Sequence, residues 1–168
     1  MQLTRIGSYL LAIAASCFTP AIAAATWYAT TVASDNSLYF FDADTVERSP
    51  DAVVVWVKTV RISSPDEDGA WSVAQRWKFN CPARTVQVLT SSNYDNSGKF
   101  IRSNNNLSTP SLVLPDSTAE RMLKIACEPS FPSDASSEKY WKLADNDIFE
   151  ARNVYLHYQN SRIDTAPK

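Results

Sequence analysis

From Trp71 to Cys81 the chain alternates between apolar and polar residues. Trp71, Val73, Trp77, Phe79 and Cys81 share one parity, broken only by Gln75. Ser72, Arg76, Lys78 and Asn80 share the other, broken only by Ala74. A period of two sustained over that length predicts a strand with one buried and one wet face. Ala52 to Arg61 is apolar on both parities, with Val53, Val55 and Val57 against Val54, Trp56 and Val60. That predicts a central strand covered on both sides for part of its length. Thr26–Val32 and Ser37–Asp42 are β-branched and aromatic runs separated by Ser34-Asp35-Asn36, which predicts a first hairpin. Phe41 to Val46 then continues toward a short turn at Ser49-Pro50-Asp51, and Ser63 to Gly69 reads as an acidic turn. Arg84–Ser91 is a further strand, followed by a turn at Tyr94–Lys99 with Gly98 free to take positive φ, and by a return strand from Lys99 to Ser103. Ser103–Pro110, rich in Asn and Ser and without periodicity, reads as a solvated connector.

The period changes after Pro115. Ser117 with Glu120 three residues on forms a capping-box pattern, and Ala119, Met122, Leu123, Ala126 and Cys127 follow on one helical face. Glu128–Ser137 is irregular and Pro/Ser-rich. Asp145–Gln159 then reads as helical, with Ile148, Arg152, Tyr155 and Gln159 along one line and Phe149, Ala151 and Tyr158 beside it. The expected fold class is α+β: an antiparallel sheet of about six strands with a helix packed on one face and a C-terminal helical extension.

The N-terminus follows a different logic. One positive charge at Arg5, a nearly continuous apolar run from Ile6 to Phe18, and Ala21-Ile22-Ala23 after Pro20 together read as a secretory signal, too short to span a bilayer. The expected organisation is a signal peptide over 1–23, a core domain over 24–127 and a partly helical extension over 128–168 of the same domain. Ala14-Ala15-Ser16-Cys17 is close to a lipobox, which would lipidate Cys17. Ala14 stands where a branched aliphatic residue is usual, so ordinary cleavage is the favoured reading. Either route leaves Cys81 and Cys127, and two cysteines in an oxidising compartment are most simply a disulfide. It would close a loop of about four dozen residues, contributing at most about 4 kcal/mol. A metal pair or redox centre fits poorly, because there is no Cys-x-x-Cys and the only histidine is His157.

Candidate chemistry is sparse. A net charge of −2 without a basic stripe argues against nucleic acid. Downstream of the signal the glycines are Gly69 and Gly98, too few for a phosphate-binding loop or a nucleophile elbow. Nucleophilic catalysis would hang on His157 alone. Asp42 and Asp44 could pose as paired carboxylates, and Asp66, Glu67 and Asp68 as the same or as a calcium loop. The latter cluster lacks alternating ligand spacing and sits in a hairpin tip, where acids are solvated. Trp56, Trp71 and Trp77 could form a sugar-stacking platform, although at strand spacing such residues belong to a core or interface. The expectation is a non-enzyme with no catalytic residues, cofactor or metal.

Several ordered segments resemble one family. They are Phe40-Phe41-Asp42-Ala43-Asp44-Thr45-Val46, Val54-Val55-Trp56-Val57-Lys58, Trp77-Lys78-Phe79-Asn80-Cys81-Pro82-Ala83-Arg84-Thr85, Tyr94-Asp95-Asn96-Ser97-Gly98-Lys99, and Pro115-Asp116-Ser117 running to Ile125-Ala126-Cys127. From about Trp27 to Cys127 their order and spacing are similar to the surface-adhesin protein E family of exported proteobacterial proteins. The resemblance implies an antiparallel sheet with a packed helix, a Cys81–Cys127 bond and a periplasmic or outer-membrane location. The family takes its name from a surface protein that binds host matrix and plasma proteins such as vitronectin, laminin and plasminogen and that can form a homodimer. The expected function is therefore an exported binding module, an adhesin for host matrix or plasma proteins, using a sheet face or the polar loops Ser91–Gly98 and Ser103–Pro110. The alternative is a periplasmic structural or envelope-assembly protein with no host ligand. A hydrolase using His157 and Asp42 is the third reading. No transmembrane span is expected after signal cleavage.

Overall fold

The computed structural model of the protein describes residues 25–106, 108–133, 141, 142, 151 and 153–156. The signal segment and His157 lie outside the described residues. The strands are β1 (Trp27–Val32), β2 (Leu38–Asp42), β3 (Glu47–Arg48), β4 (Ala52–Val60), β5 (Ser72–Asn80), β6 (Thr85–Tyr94), β7 (Phe100–Asn104), β8 (Ser111–Leu112) and β9 (Trp141–Lys142). They form one sheet in the order β7-β6-β5-β4-β2-β1-β9, with β3 on β4 and β8 on β6. Every pairing is antiparallel. Six strands have five residues or more; the other three have two each.

Two of the two-residue strands, β3 and β8, arise where a longer run along one neighbour is interrupted. The expected run from Phe41 toward Ser49 breaks at a 3-10 turn, Ala43–Thr45. Asp42 caps that turn, its Oδ1 accepting from the Asp44 amide at 3.1 Å. Thr45 repairs the broken ladder: its Oγ1 donates to the Asp42 carbonyl at 3.0 Å and accepts from the Trp56 amide at 3.2 Å. A central-strand amide left without an acceptor would be costly, so one hydroxyl serves both sides of the gap. β2 and β3 thus lie end to end on β4.

The outer edge of β6 shows the same device. β7 pairs with Ser91–Tyr94, β8 with Thr85–Val86, and Ser108 fills the interval. Its Oγ accepts from the Val88 amide at 2.8 Å, and its own amide donates to the Val88 carbonyl at 3.0 Å. The expected solvated connector is therefore pinned to the sheet at that point. Side-chain acceptors on Asn and Ser can replace ladder partners without any hydrophobic period to announce it.

The strand from Trp71 follows the expected alternation only in part. Phe79 is fully buried and Trp77 half-buried, but Ser72 is buried against expectation. The register shifts between Arg76 and Trp77, which pair with Thr90 and Val88 across β6. Leu89 is the extra residue of a bulge there.

Both faces of the sheet carry core. On one, Tyr28, Phe41, Val53, Val55, Val57 and Phe79 share a cluster with Phe131 and with Met122, Leu123 and Ala126 of the helix α1 (Thr118–Cys127). On the other, Trp27, Leu38, Phe40 and Val60 cluster with Ala151. Neighbouring Phe40 and Phe41 are both completely buried because each faces a different core. Residues 151 and 153–156 are helical; Ala151 and Val154 are buried and Tyr155 half-buried. Of the expected C-terminal helix, Ile148, Phe149, Arg152, Tyr158 and Gln159 lie outside the described residues.

The helix begins as its pattern predicts, with one change. Ser117 Oγ accepts from the Glu120 amide at 3.1 Å, but Glu120 Oε2 reaches back to the amide of Asp116, not Ser117, at 2.9 Å. Asp116 has φ 60°, which turns its N–H toward the helix. The other Glu120 oxygen meets Arg84 Nη2 at 2.6 Å, tying the helix start to the β5–β6 turn. Together the Asp116 amide and the Arg84 guanidinium hold the Glu120 carboxyl below its ordinary range. At the far end, Arg48 Nη2 donates to the carbonyls of Glu128, at 2.7 Å, and Phe131. Ser117→Ala removes the cap and is expected to cost about 1 kcal/mol in a denaturant titration. An unchanged midpoint would show that Glu120 alone holds the helix start.

Candidate functional site

Cys127, in the last turn of α1, is joined to Cys81, one residue past β5, with Cα atoms 5.9 Å apart. That separation is the ordinary span of a disulfide. Both sulfurs are consumed in it, so the pair is a staple between sheet and helix.

The other candidates disperse. Asp42 and Asp44 do not face one another across a cleft; both are backbone acceptors, Asp44 Oδ2 receiving the Thr26 amide at 3.1 Å. Asp66 Oδ1 accepts from the amides of Asp68 and Ala70 at 3.0 and 2.8 Å, and Asp68 is paired with Arg102. Among the described residues no group of three or more His, Cys, Asp or Glu could hold a metal ion. Trp56 and Trp77 pack against opposite faces, so the three tryptophans form no common platform.

Asp42 matters physically in another way. Its carboxyl is buried, and burial is the main cause that pushes its pKa up, opposed by the bond from the Asp44 amide. A raised folded-state pKa means that the folded protein holds this proton more tightly than the unfolded chain does. The contribution is fully present below the ordinary aspartate range near about 4 and is lost as pH rises through the folded value. Asp42→Asn keeps an acceptor for Asp44 and cannot ionise. Its stability relative to the parent is expected to rise between pH 4 and 7, read from unfolding at each pH; a difference independent of pH would refute this.

What the structure does assemble lies at the end of β6 and β7. Gln75 pairs with Ser91 and Val73 with Asn93, while Ser91 and Asn93 pair in turn with Asn104 and Arg102. Residues directly opposite across antiparallel strands share a face. This row therefore continues the face of Trp77 and Phe79, with polar side chains in place of the core. Ser91, Asn93, Arg102, Ser103 and Asn104 line a groove there of about 300 Å³. Its rim is held by Asn104 Oδ1, which accepts from the Asn106 amide at 2.8 Å, and by Thr90 Oγ1, which donates to Asn105 Oδ1 at 2.7 Å.

The expected loops Ser91–Gly98 and Ser103–Pro110 are thus brought together only at their strand-proximal ends. The tip between them is a separate feature. Asp95 Oδ1 accepts from the amides of Ser97 and Lys99 at 2.8 and 2.9 Å, and Gly98 has φ +78°. The Ser97 hydroxyl and the Lys99 amide lower the Asp95 pKa. Arg102 belongs to the groove and was missed as a site residue; its place in a five-residue return strand carried no motif.

The model of the surface-adhesin protein E family matches residues 27–128. The chain belongs to that family. Among solved structures, a form of Haemophilus influenzae protein E is similar at 16% identity over 60% of this chain and 83% of that one, with a TM-score of 0.45. A second crystal form matches at 19% identity over 53% and 79%, with a TM-score of 0.42. Protein E from non-typeable Haemophilus influenzae matches at 16% over 78% and 88%, with a TM-score of 0.40. No curated protein matches the chain. Within the adhesin E segment fall all the strands from β1 to β8, the groove, both cysteines and α1. No helix among the described residues is long and apolar enough to cross a membrane.

Proposed function

We propose that the protein is an exported, non-enzymatic binding module that engages a host matrix or plasma protein at the β6–β7 end of its sheet. Membership in the surface-adhesin family is the observation that carries this reading. The polar groove supports it, because pairing of hydroxyl and carboxamide groups with a partner needs no acid–base chemistry. Residues 1–23 act as the export signal in this reading, and the processed chain is a single domain whose extension, 128–168, gives Phe131 to one core and Ala151 to the other.

The test has two parts. The processed chain, immobilised, is exposed to surfaces coated with laminin or vitronectin, and intact cells are treated with protease to ask whether the protein is accessible. Saturable binding together with cleavage on intact cells is expected. Full protection on intact cells with no matrix binding would overturn adhesion and favour an envelope-internal role.

A further inference from the structure

β7 ends the sheet. Its strand neighbour is β6, so the main-chain N–H and C=O groups on its outer side meet no strand among the described residues. In an antiparallel strand every second residue turns both groups to the same side, which leaves a row of donors and acceptors along that edge. All five residues of β7 are exposed, and so are both residues of β8, which continues the same edge of β6. The strand at the opposite edge, β9, has two residues.

Apolar side chains gather on the open edge. Of the five large apolar residues exposed among the described ones, Phe100, Ile101, Leu112 and Leu114 lie on or beside it, and Leu156 lies elsewhere. Phe100 and Leu112 are 53% and 73% exposed, so a partner can still cover more than half of each. They also share a face. Phe100 stands opposite Tyr94 and, through it, Ser72; Leu112 stands opposite Thr85 and, through it, Asn80. Directly opposed residues point to the same side of a sheet, and Ser72 and Asn80 have the same parity on β5. Both side chains therefore lie on the face away from Trp77, Phe79 and α1. They mark the two ends of β6, about 30 Å apart along an extended chain. Ile101 has no partner on β6, because Phe100 and Arg102 meet the consecutive residues Tyr94 and Asn93.

The chemistry of the edge selects its occupant. β7 carries neither the proline nor the lysine that commonly closes a sheet edge to pairing. Its one charge, Arg102, is already neutralised by Asp68, so an anion would have to compete with that carboxylate. A lipid surface would cover the leucines and leave the main-chain row without partners. An extended polypeptide meets both demands: its backbone continues the ladder while alternate side chains reach the apolar residues.

We propose that this edge is a strand-addition site, where an extended, apolar-bearing segment of a partner protein hydrogen-bonds to the open main chain of β7 and packs on Phe100 and Ile101, with Leu112 as a second contact. The inference rests on the binding-module reading and adds the form in which the partner is held.

The experiment uses the processed full-length chain against intact laminin and vitronectin and against short overlapping peptides that tile both sequences. Saturable binding to peptides with alternating apolar residues is expected, and raising the salt concentration is expected to leave it unchanged. Ile101→Lys, at an exposed position without a partner on β6, is expected to weaken it at least tenfold. Leu156→Ser is expected to change nothing. N-methylation of alternate amides in the bound peptide is expected to abolish binding for one parity and spare it for the other, a readout that leaves the protein unaltered. Loss of binding without regard to parity, or binding untouched by Ile101→Lys, would overturn strand addition and leave the binding module standing. Binding of the intact proteins with no peptide bound would do the same. Self-association in sedimentation that Ile101→Lys abolishes would overturn the assignment to a foreign segment, because a second copy then occupies the edge. Failure to bind any peptide or intact protein would remove both readings.

Discussion

Replacing Cys81 and Cys127 together by alanine is expected to lower the unfolding free energy by about 4 kcal/mol, and by no less than about 2 kcal/mol. The bond closes a separation of 46 residues that contains β6, β7, β8 and nearly all of α1. Without it, the unfolded chain regains the freedom to separate the end of β5 from the end of the helix. The folded state keeps other ties between the same elements, namely Arg84–Glu120 and Arg48 to the helix C-terminus. The first is a partly exposed ion pair, which contributes about 0–1 kcal/mol, and the second is a pair of hydrogen bonds from Arg48 to the Glu128 and Phe131 carbonyls. The loss should therefore appear almost undiminished as a shift of the denaturation midpoint at constant slope. A shift worth less than about 1 kcal/mol would mean that the helix is held by packing alone.

Phe41→Ala is expected to cost about 3–5 kcal/mol. The ring has no exposed surface and meets Phe79 edge-on at 6.0 Å and Phe131 at 5.6 Å. It thereby joins β2, β5 and the segment after α1, three elements from separate parts of the chain. Truncation leaves a cavity among residues anchored in a ladder, which cannot collapse to fill it. Phe41→Leu, which retains most of the volume, is expected to cost about 1–2 kcal/mol, so the difference between the two variants isolates the cavity. Equilibrium unfolding of both reads it directly. If the alanine variant loses under about 1 kcal/mol, the centre of this core lies elsewhere.

The parts of the fold legible in the residue pattern were those governed by a period or by a local rule. β4, with valines on both parities, did become a strand between two cores. Met122, Leu123 and Ala126 of the helical stripe did join a core cluster, with Ala119 and Cys127 packed against it, and Ser117 did cap the helix. Gly98 took the positive φ that its turn requires. Less legible were the places where side chains substitute for backbone partners. Thr45 and Ser108 each mend an interrupted ladder, and a threonine or serine in a loop-like stretch looks the same whether or not it does so. The bulge opposite Trp77 was hidden for a related reason, because a single extra residue in β6 leaves no mark on the period of β5. The groove was half visible. Its two polar stretches stood out, but the juxtaposition of Arg102 and Asn93 depends on which strands become neighbours.

Composition, local periodicity and cysteine count by themselves determined the strand-rich class, the amphipathic helix with its cap, and two sulfurs suited to one bond. These follow from interactions between residues a few positions apart, or from the chemistry of a residue type wherever it falls. Only the tertiary structure decided that Phe40 and Phe41 serve two cores, and that Asp42 and Asp44 secure a turn in place of forming a pair. It also decided that Asn93 of β6 lies directly opposite Arg102 of β7. Burial and strand adjacency are properties of chain segments brought together over long separations, and no window of sequence contains them.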